Sequence, residues 1–365
     1  MKAQAALFRR SNEPLSIEEV DIDEPGPTEV LVKTSACGVC HSDLHFIQGS
    51  IQGPSPTIPG HEPAGVVVRV GELVRRVAPG DHVIACTSMF CGQCSQCLQG
   101  RPYLCTDRGA CRRGKGTPPR ISQNGCEIYQ FADLSGFSDH MLVHERALVR
   151  IDEDMPLDRA SLIGCGVTTG VGAALNTAKV QPGSTVAVFG AGGVGNSIIQ
   201  GSRIAGAKQI IAVDLTPDKL MTAEHFGATD TVLVGDHDSD PVKTIKKLSR
   251  GGVDYAFDAV GSTMLTAQAF YCLAPHGTAV VVGAIPRGAK LELEPGHFYA
   301  EKTITGCMMG SNRFHIDALN YIDLYKQKKL DLDTMITRRM PLTEVNEAFS
   351  LMEAGEVTRV VLTFD

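Results

Sequence analysis

Residues 185–200 read TVAVFGAGGVGNSIIQ, a β-branched run followed by a G-x-G-x-x-G turn at Gly190, Gly192 and Gly195. Such glycines allow a tight turn, close approach of the backbone to a pyrophosphate, and tight packing of the following helix on the strand. The next predicted strand ends at Asp214, about 20 residues further on, where a carboxylate would bind an adenosine ribose and repel a 2′-phosphate. The stretch predicts a Rossmann unit that binds NAD rather than NADP, and a glycine-rich turn without a ligand is the alternative.

On both sides of this stretch, the pattern of predicted strands and helices indicates an α/β fold. Further strands, which alternate with helical stretches as in a parallel sheet, are predicted at 209–214, 231–234, 255–259 and 278–282. Short β-rich runs punctuated by Gly and Pro predict a mostly β domain over residues 30–90. The tail after about residue 309 has helical stretches around 316–329 and 342–353 and a strand-like run at 359–364.

The composition and charge of the chain limit the kinds of ligand or partner that it is expected to bind. The 365 residues are 43% apolar and 21% charged, as in an ordinary folded protein, and length alone suggests about two domains. A formal charge of -7 leaves no basic surplus for nucleic acid or an anionic membrane, so a small metabolite is expected. The first residues lack the apolar core of a signal peptide, and no window is apolar enough to span a bilayer, so a cytoplasmic location is predicted.

The 12 cysteines include a compact array, C-x2-C-x2-C-x7-C, formed by Cys91, Cys94, Cys97 and Cys105. A disulfide framework is typical of short exported chains, so metal binding is preferred here. Four thiolates at this spacing can close around one tetrahedral zinc ion and leave no place for substrate, which predicts a structural zinc site; an iron–sulfur site is the alternative.

A second, scattered set comprises Cys40 in CGVCHSD, His61 in GHE and Cys165 in GCGVTTG. Two thiolates and one imidazole leave the fourth position of a zinc ion open, as a catalytic site requires. Taken singly, each of the three is more often a buried structural side chain. Cys37 and Cys40 also form a C-x-x-C, for which a redox pair is the alternative.

The other cysteines and histidines carry weaker expectations. Cys86, Cys272 and Cys307 are expected to be buried. A surface excursion is predicted from about Arg108 to Gly125, within the stretch between Cys105 and Phe137, and Cys111 and Cys126 in this stretch are candidates for reactive thiols. The remaining histidines are expected to be structural or surface residues: His82, His140, His144, His225, His237, His276, His297 and His315.

In its motifs and their order, the chain resembles the zinc-containing alcohol dehydrogenases of the medium-chain dehydrogenase/reductase superfamily, in particular the long-chain class I/III-like subgroup. The motifs that carry the resemblance are, in chain order, CGVCHSD, GHE, the four-cysteine lobe, GCGVTTG, GAGGVG and the acidic strand end. The resemblance extends from about residue 30 to the C-terminal strand. It implies a GroES-like, mostly β catalytic domain at 1–166 with the zinc lobe at 91–105, a doubly wound Rossmann domain for NAD at 167–308, and a return to the catalytic domain at 309–365. It also implies one catalytic and one structural zinc per subunit, and reversible oxidation of a primary or secondary alcohol to its aldehyde or ketone.

The same resemblance implies roles for individual residues. Cys40, His61 and Cys165 match the catalytic zinc ligands, Ser42 the hydroxyl that bonds the substrate oxygen, and His45 the far end of a proton relay. Asp43 matches the carboxylate that orients His61, and Glu62 an acidic neighbour of the metal. The residues that match coenzyme contacts are His41, Thr169, Gly190, Gly192, Gly193, Val194, Gly195, Asp214, Lys219, Val260, Val282, Ala284 and Arg359.

The substrate pocket implied by the resemblance is lined by Ile51, Thr87, Ala110, Phe131, Ala132, Ala284 and Met308. Because several of these side chains are smaller than in ethanol-oxidising relatives, the predicted substrate is bulky, aromatic or terpenoid-like. A homodimer is expected, with a tetramer as the alternative. Two further alternatives stay open: a glutathione-dependent formaldehyde dehydrogenase, for which Arg108, Arg112 and Arg113 near Gly109 are relevant, and a non-catalytic NAD-binding protein.

Overall fold

A computed structural model describes residues 1–235 and 240–364, and His237 lies outside these ranges. The strands, in chain order, are β1 (Lys2–Leu7), β2 (Ser16–Ile22), β3 (Glu29–Gly38), β4 (Thr57–Ile58), β5 (Glu62–Val70), β6 (His82–Ala85), β7 (Ile121–Gln123), β8 (Cys126–Glu127), β9 (Tyr129–Gln130), β10 (His140–His144), β11 (Leu148–Ile151), β12 (Thr185–Phe189), β13 (Gln209–Asp214), β14 (Asp230–Leu233), β15 (Val253–Asp258), β16 (Leu273–Val281), β17 (Thr303–Gly306), β18 (Arg338–Pro341) and β19 (Val360–Thr363).

The α-helices are α1 (His41–Ile47), α2 (Ser95–Leu98), α3 (Leu157–Leu162), α4 (Thr168–Gly172), α5 (Gly193–Ile204), α6 (Pro217–Phe226), α7 (Pro241–Leu248), α8 (Thr263–Tyr271), α9 (Phe314–Lys326) and α10 (Val345–Glu353). Two π-helical segments, Ile163–Val167 and Ala173–Ala178, flank α4. Within the described ranges, every helix is too short or too polar to cross a lipid bilayer.

The chain forms two compact units. The first unit combines Met1–Cys165 with Arg313–Gln327 and the residues from Leu332 onward, and the second contains Gly166–Asn312 and Lys328–Asp331. The three-part division into 1–166, 167–308 and 309–365 stays a prediction.

Strand β3 is the hub of the first unit. It pairs with β5, β10 and β19 in a seven-stranded, mostly antiparallel sheet. Gly38, the last residue of β3, lies opposite Glu62 in β5 and Val361 in β19, so the ends of three strands meet there. A side chain at position 38 would clash with the Glu62 carboxylate, which explains the glycine. This end of the sheet is therefore where the first unit gathers its polar side chains.

A second sheet in the first unit was not predicted. It has the order β1-β2-β7-β8, and it includes Ile121–Gln123 from the stretch that we expected to be a surface excursion. Arg120, just before β7, is only 8% exposed because its guanidinium is neutralised by the buried Glu29. The excursion is therefore partly internal, and the expectation of a purely surface segment was wrong.

The second unit confirms the predicted parallel sheet. Its six strands have the order β14-β13-β12-β15-β16-β17, and every neighbouring pair is parallel. This is the strand order of a doubly wound dinucleotide-binding fold. Its core includes the buried rings of Phe189 and Phe270, and Phe257 in β15 is also fully buried. Because the order reverses next to β12, the turn after β12 lies at the switch point where such sheets bind ligands.

The C-terminal helices begin and end differently from the prediction. α9 begins at Phe314, where the Asp317 carboxylate accepts from the amide of Arg313 at 2.8 Å, and it ends at Lys326. Lys328 has a left-handed backbone (φ 59°), which prevents the helix from continuing to residue 329. A short 3₁₀ turn at Leu342–Glu344 precedes α10, so the α-helix itself starts three residues later than expected.

Candidate active site

Cys40, His61 and Cys165 converge at the end of the seven-stranded sheet where β3 stops. Cys40 follows β3 and precedes α1, and His61 immediately precedes β5. Cys165 lies in the π-helical segment after α3, a helix distortion that is frequent at functional sites. The ligand atoms of Cys40, His61, Cys165 and a fourth residue, Glu62, all lie within 4.8 Å of one another, and all four side chains are buried.

Asp43 fixes the orientation of the His61 ring. Its Oδ1 lies 2.9 Å from Nδ1 of His61 and accepts from the amide of Gly60, also at 2.9 Å. A carboxylate on Nδ1 holds the proton there and leaves Nε2 free to act as a metal ligand. This arrangement agrees with the orienting role predicted for Asp43.

The electrostatics of the cluster suit a divalent cation. A hydrogen bond with Cys165 holds the pKa of the Cys40 thiol well below its ordinary value, against the effect of burial. Burial opposes the charge on His61, but Asp43 and Cys40 raise the pKa of this imidazole well above its ordinary value. A zinc ion held here would replace the protons on these side chains as its ligands deprotonate. Two thiolates and one imidazole are also ligands that zinc prefers, so the residues fit this metal.

Glu62 forms a buried ion pair with Arg359, the residue before β19. Burial raises the pKa of Glu62 to about 7, while the Arg359 guanidinium opposes that shift. Three polar atoms around the cluster are buried without a hydrogen-bond partner: Oδ2 of Asp43, Oε1 of Glu62 and Nε of Arg359. Such atoms are costly unless a ligand or ion satisfies them, which again indicates an occupied site.

The four lobe cysteines form a separate cluster in the first unit. Sγ of Cys94 lies 3.4 Å from Sγ of Cys97 and 3.9 Å from Sγ of Cys105, and Cys91 and Cys97 are 4.0 Å apart. These separations suit four thiolates around one tetrahedral ion. Arg146 donates to the carbonyls of Phe90 and Cys91, and thereby ties the lobe to the turn before β11.

Ser42 and His45 lie on α1, directly after Cys40. They are three residues apart and therefore share one face of the helix, and both side chains are half-buried. His41 is exposed at the first turn of the same helix, with its ring centroid 6.4 Å from that of His45.

The predicted pocket residues divide between the two units. Phe131 lies against the metal-ligand cluster, with its ring centroid 5.6 Å from that of His61 and 4.7 Å from that of Phe46. Ile51 packs on the same hydrophobic cluster as Phe131. The first unit also contains Thr87, Ala110 and Ala132, and the second contains Ala284 and Met308, the latter 48% exposed.

The glycine turn of the second unit follows β12 as predicted. Gly190 has φ 93°, and a side chain on Gly195 would clash with the Gly190 carbonyl, so both positions require glycine. Gly192 caps α5, and Gly193 and Val194 form its first turn. Asp214, at the end of β13, accepts from the amide of Ala191 at 2.7 Å, so this carboxylate is fixed beside the turn.

Five further predicted coenzyme residues lie in the second unit, whereas His41 and Arg359 belong to the first. Val260 is 52% exposed, and its amide donates to the buried carboxylate of Asp258 at 3.0 Å. Thr169 in α4 is buried and contacts Met309, and Lys219 in α6 is half-buried. Val282 and Ala284 follow β16.

Known proteins resemble the chain over its whole length. The family model of the alcohol dehydrogenase GroES-like domain matches residues 26–153, and that of the zinc-binding dehydrogenases matches residues 193–324. "Alcohol dehydrogenase 1" of Zea mays is 38% identical over 374 aligned residues, which cover 100% of this chain and 98% of the plant protein. The chain belongs to the zinc-dependent alcohol dehydrogenase family.

Solved structures of this family have the same fold. A zinc-binding-domain alcohol dehydrogenase from Burkholderia ambifaria superposes with a TM-score of 0.95 at 32% identity, covering 100% of this chain and 99% of the other. Benzyl alcohol dehydrogenase from Acinetobacter calcoaceticus superposes with a TM-score of 0.94 at 29% identity, covering 100% of both chains. The predicted α/β fold, with a GroES-like domain and a Rossmann sheet, is confirmed.

For this alcohol dehydrogenase, one expectation stays a prediction and another needs correction. Arg359, predicted to contact a pyrophosphate, is only 5% exposed, and its Nη2 is bound to Glu62; a coenzyme role for it stays a prediction. Cys111, a candidate for a reactive thiol, is 1% exposed, and burial raises the pKa of this thiol. A buried thiol of raised pKa is inert, so that expectation was wrong for Cys111, whereas Cys126 is exposed.

Sequence reasoning missed the ion pair between Glu62 and Arg359. The two residues are far apart in the chain, and only the pairing of β19 with β3 brings them together. A buried acidic residue next to a metal-ligating histidine needs a cation, which was the available signal.

Proposed function

We propose that this alcohol dehydrogenase oxidises a bulky, aromatic or terpenoid-like alcohol with NAD, reversibly, to the aldehyde or ketone. The observation that carries the proposal is the buried cluster of Cys40, His61 and Cys165, with Asp43 on the far side of His61. The two groups that the chain would hold supply the chemistry of the reaction: zinc a Lewis acid at the alcohol oxygen, and NAD an acceptor for hydride.

The chain's own residues handle orientation and the proton. Asp43 keeps the proton of His61 on Nδ1, and Arg359 holds one oxygen of Glu62. Ser42 would accept the proton of the alcohol hydroxyl at its Oγ as its own hydroxyl proton leaves towards His45, and His45, on the same face of α1, would release a proton to solvent. Phe131, beside His61, would exclude water and contact the substrate's apolar part.

NAD is favoured over NADP by the charge of Asp214. Its carboxylate is fixed beside the glycine turn by the amides of Ala191, Leu215 and Thr216, at 2.7, 2.8 and 3.1 Å. A 2′-phosphate would bring two further negative charges next to this carboxylate, whereas ribose hydroxyls can donate to it. Comparing the reduction of NAD and NADP with one alcohol tests this choice.

A bulky substrate is supported by the small side chains of Ala110 and Ala132 at pocket positions that the family resemblance implies, and by the similarity to a benzyl alcohol dehydrogenase. The test is a panel of alcohols scored by NADH absorbance, with 1,10-phenanthroline as the zinc chelator. We expect a higher kcat/KM for benzyl alcohol than for ethanol, and inhibition by the chelator. A kcat/KM for ethanol equal to or above that for benzyl alcohol would overturn the proposed substrate class.

The formaldehyde alternative finds no support in the arginines after the lobe. Arg108 donates to the carbonyl of Tyr103 at 3.3 Å, Arg112 pairs with Asp133, and Arg113 pairs with Glu29. Arg112 and Arg113 are thus neutralised by carboxylates of the chain itself, and Arg108 is bound to the backbone, so these contacts do not favour a site for glutathione carboxylates. Formaldehyde oxidation that strictly requires glutathione would nevertheless establish this alternative over ours. A zinc-replete protein that is inert towards the whole panel would instead indicate a non-catalytic NAD-binding protein.

We also propose that the enzyme acts as a homodimer in the cytoplasm. The proposal rests on the long excursion between Cys105 and Phe137, which resembles that of dimeric relatives. Sedimentation equilibrium of the zinc-loaded protein tests the assembly, and a tetramer mass would contradict it.

A further inference from the structure

The segment from Gln130 to Phe137 lies against the metal-ligating His61 at two places. The ring of Phe131 contacts the His61 ring, at 5.6 Å between centroids. Further along, the amide of Gly136 donates to the carbonyl of Gly60 at 2.7 Å, directly before His61 in the chain. A shift of this segment would therefore move the apolar wall beside the candidate metal site.

The backbone of this segment is strained. Ala132, Asp133 and Ser135 have φ values of 56°, 64° and 69°, the left-handed region that residues other than glycine rarely adopt. Such a conformation persists only where surrounding contacts over-determine it. The amide group of Gln130 supplies part of this support, since its Nε2 donates to the carbonyls of Leu134 and Leu142, both at 3.1 Å.

Arg112 supplies the other part. Its Nε donates to Oδ1 of Asp133 at 2.7 Å, and its Nη2 donates to Oδ2 at 2.9 Å. Two parallel hydrogen bonds of this kind fix orientation as well as distance. We name this pair the Arg112–Asp133 clasp.

Arg112 lies in a stretch of chain that is held in place by contacts of the residues on both sides of it. Next to Arg112, Arg113 pairs with Glu29 at 2.7 Å and with Asp23 at 2.6 Å, and its side chain is 12% exposed. On the other side, Cys111 is buried, and its carbonyl accepts from Nη2 of Arg120 at 2.9 Å. Because both chain neighbours of Arg112 are held in place, the Arg112–Asp133 clasp keeps the turn around Asp133 at a defined position.

We propose that the Arg112–Asp133 clasp sets the position of Phe131 beside His61 and thereby determines the preference for bulky aromatic alcohols over ethanol. The inference rests on the proposed function, since it assigns a specificity role within the same site. Arg112 and Asp133 are positioning residues and act through Phe131. Ethanol is too small to depend on the full aromatic wall, whereas benzyl alcohol would use it.

The test uses Arg112→Gln and Asp133→Asn in the zinc-loaded full chain. Asparagine tolerates the left-handed backbone at position 133, and Asp133→Gly, which removes the carboxylate without strain, provides a second variant. We measure kcat and KM for benzyl alcohol and for ethanol at saturating NAD. In each variant KM for benzyl alcohol should rise about two- to fivefold, more than KM for ethanol, the range expected for a partly exposed ion pair. The double variant should be no worse than either single one, because both remove the same contact.

A matched control pair is Arg9 and Glu18, which form a second bidentate contact in the same unit at 3.0 and 2.7 Å. Arg9→Gln and Glu18→Gln should leave the benzyl alcohol to ethanol ratio of kcat/KM within twofold of wild type (about the scatter of such measurements). Zinc content and the thermal midpoint show that each variant is folded.

Three outcomes would overturn the inference. They are an unchanged ratio in the clasp variants, an equal fall in the control variants, and additive losses in the double variant. Each leaves the proposed function intact if the wild type oxidises benzyl alcohol. A wild type inactive towards every alcohol overturns the proposed function and this inference together.

Discussion

At the residue scale, the decisive contact is the one that links Asp43 to His61. The carboxylate is 0% exposed, and it bonds both the ring and the amide of Gly60, so it positions the histidine before any metal arrives. Groups in this place raise ligand basicity and fix the tautomer. We therefore expect that the loss of the Asp43 carboxylate would first of all lower the affinity of the site for metal.

Asp43→Asn should weaken zinc binding at the Cys40–His61–Cys165 site by about 10- to 100-fold, because the ring loses its charged partner. Competition with a chromophoric chelator measures this affinity. Asp139→Asn is the matched control, since Asp139 holds Nδ1 of His140 at the same 2.9 Å but on a partly exposed pair. Equal zinc affinity in Asp43→Asn and wild type would contradict the orienting role.

Ser42→Ala should lower kcat for alcohol oxidation by about 10²- to 10⁴-fold, the range for losing a positioned proton-transfer group. Zinc content should not change, because Ser42 is not in either cluster of candidate ligands. Ser42→Thr keeps the hydroxyl and should retain most of the activity. If Ser42→Ala keeps wild-type kcat, Ser42 has no part in proton transfer.

At the element scale, the proposed selection of NAD over NADP depends on Asp214 at the end of a strand. The parallel pairing of β12 with β13 places the end of β13 beside the glycine turn, where the carboxylate accepts from Ala191. The selection thus depends on sheet topology as much as on the side chain.

Asp214→Asn removes the charge and keeps an acceptor for the turn. We expect the ratio of kcat/KM for NAD to that for NADP to fall at least about tenfold, which corresponds to about 1.4 kcal/mol. Steady-state kinetics with both coenzymes measure the ratio, and Asp218→Asn, an exposed residue in α6, serves as control. An unchanged ratio would show that another residue makes the selection.

Elements differ in how well the sequence predicts them. Strand β13 was predicted to the residue, because QIIAVD is a buried run bounded by turn residues. Strand β1 was not, because KAQAAL lacks β-branched residues and depends on pairing with β2. Tertiary pairing overrides local preference in such segments, and only the structure reveals it.

The candidate site likewise has parts that the sequence predicts and parts that it does not. The clustering of Cys40, His61 and Cys165 could be predicted because their motifs occur together and in the order of a known family, and the role of these residues as metal ligands stays a prediction. The pair of Glu62 with Arg359 and the Arg112–Asp133 clasp could not, because ion pairs between distant segments leave no local pattern.

At the scale of the whole molecule, stability should depend on pH through two histidines of the first unit. Burial, with Arg146 as a lesser cause, lowers the pKa of His144 to about 4, and burial, with Arg76, does the same to His315. An unfolded histidine titrates near 6.5. The folded state therefore disfavours the proton, so each histidine contributes stability that is complete above about pH 6.5 and is lost as the pH falls towards 4.

His315→Phe should reduce the decline in unfolding free energy between pH 6.5 and 4 by roughly 1–3 kcal/mol, because one titrating group is removed. Phenylalanine preserves the edge contact of the ring with Phe90. Urea unfolding at a series of pH values measures the decline. The same decline in variant and wild type would show that His315 is protonated equally in both states.

The two candidate metal clusters complete their ligands at different moments of synthesis. All four lobe cysteines lie between residues 91 and 105, so a nascent chain can bind an ion there before most of the protein has been synthesised. The other cluster needs Cys165, and its Glu62 finds Arg359 only when the final strand joins β3. In a cell short of zinc, molecules with a filled lobe and an empty reaction centre should therefore accumulate first.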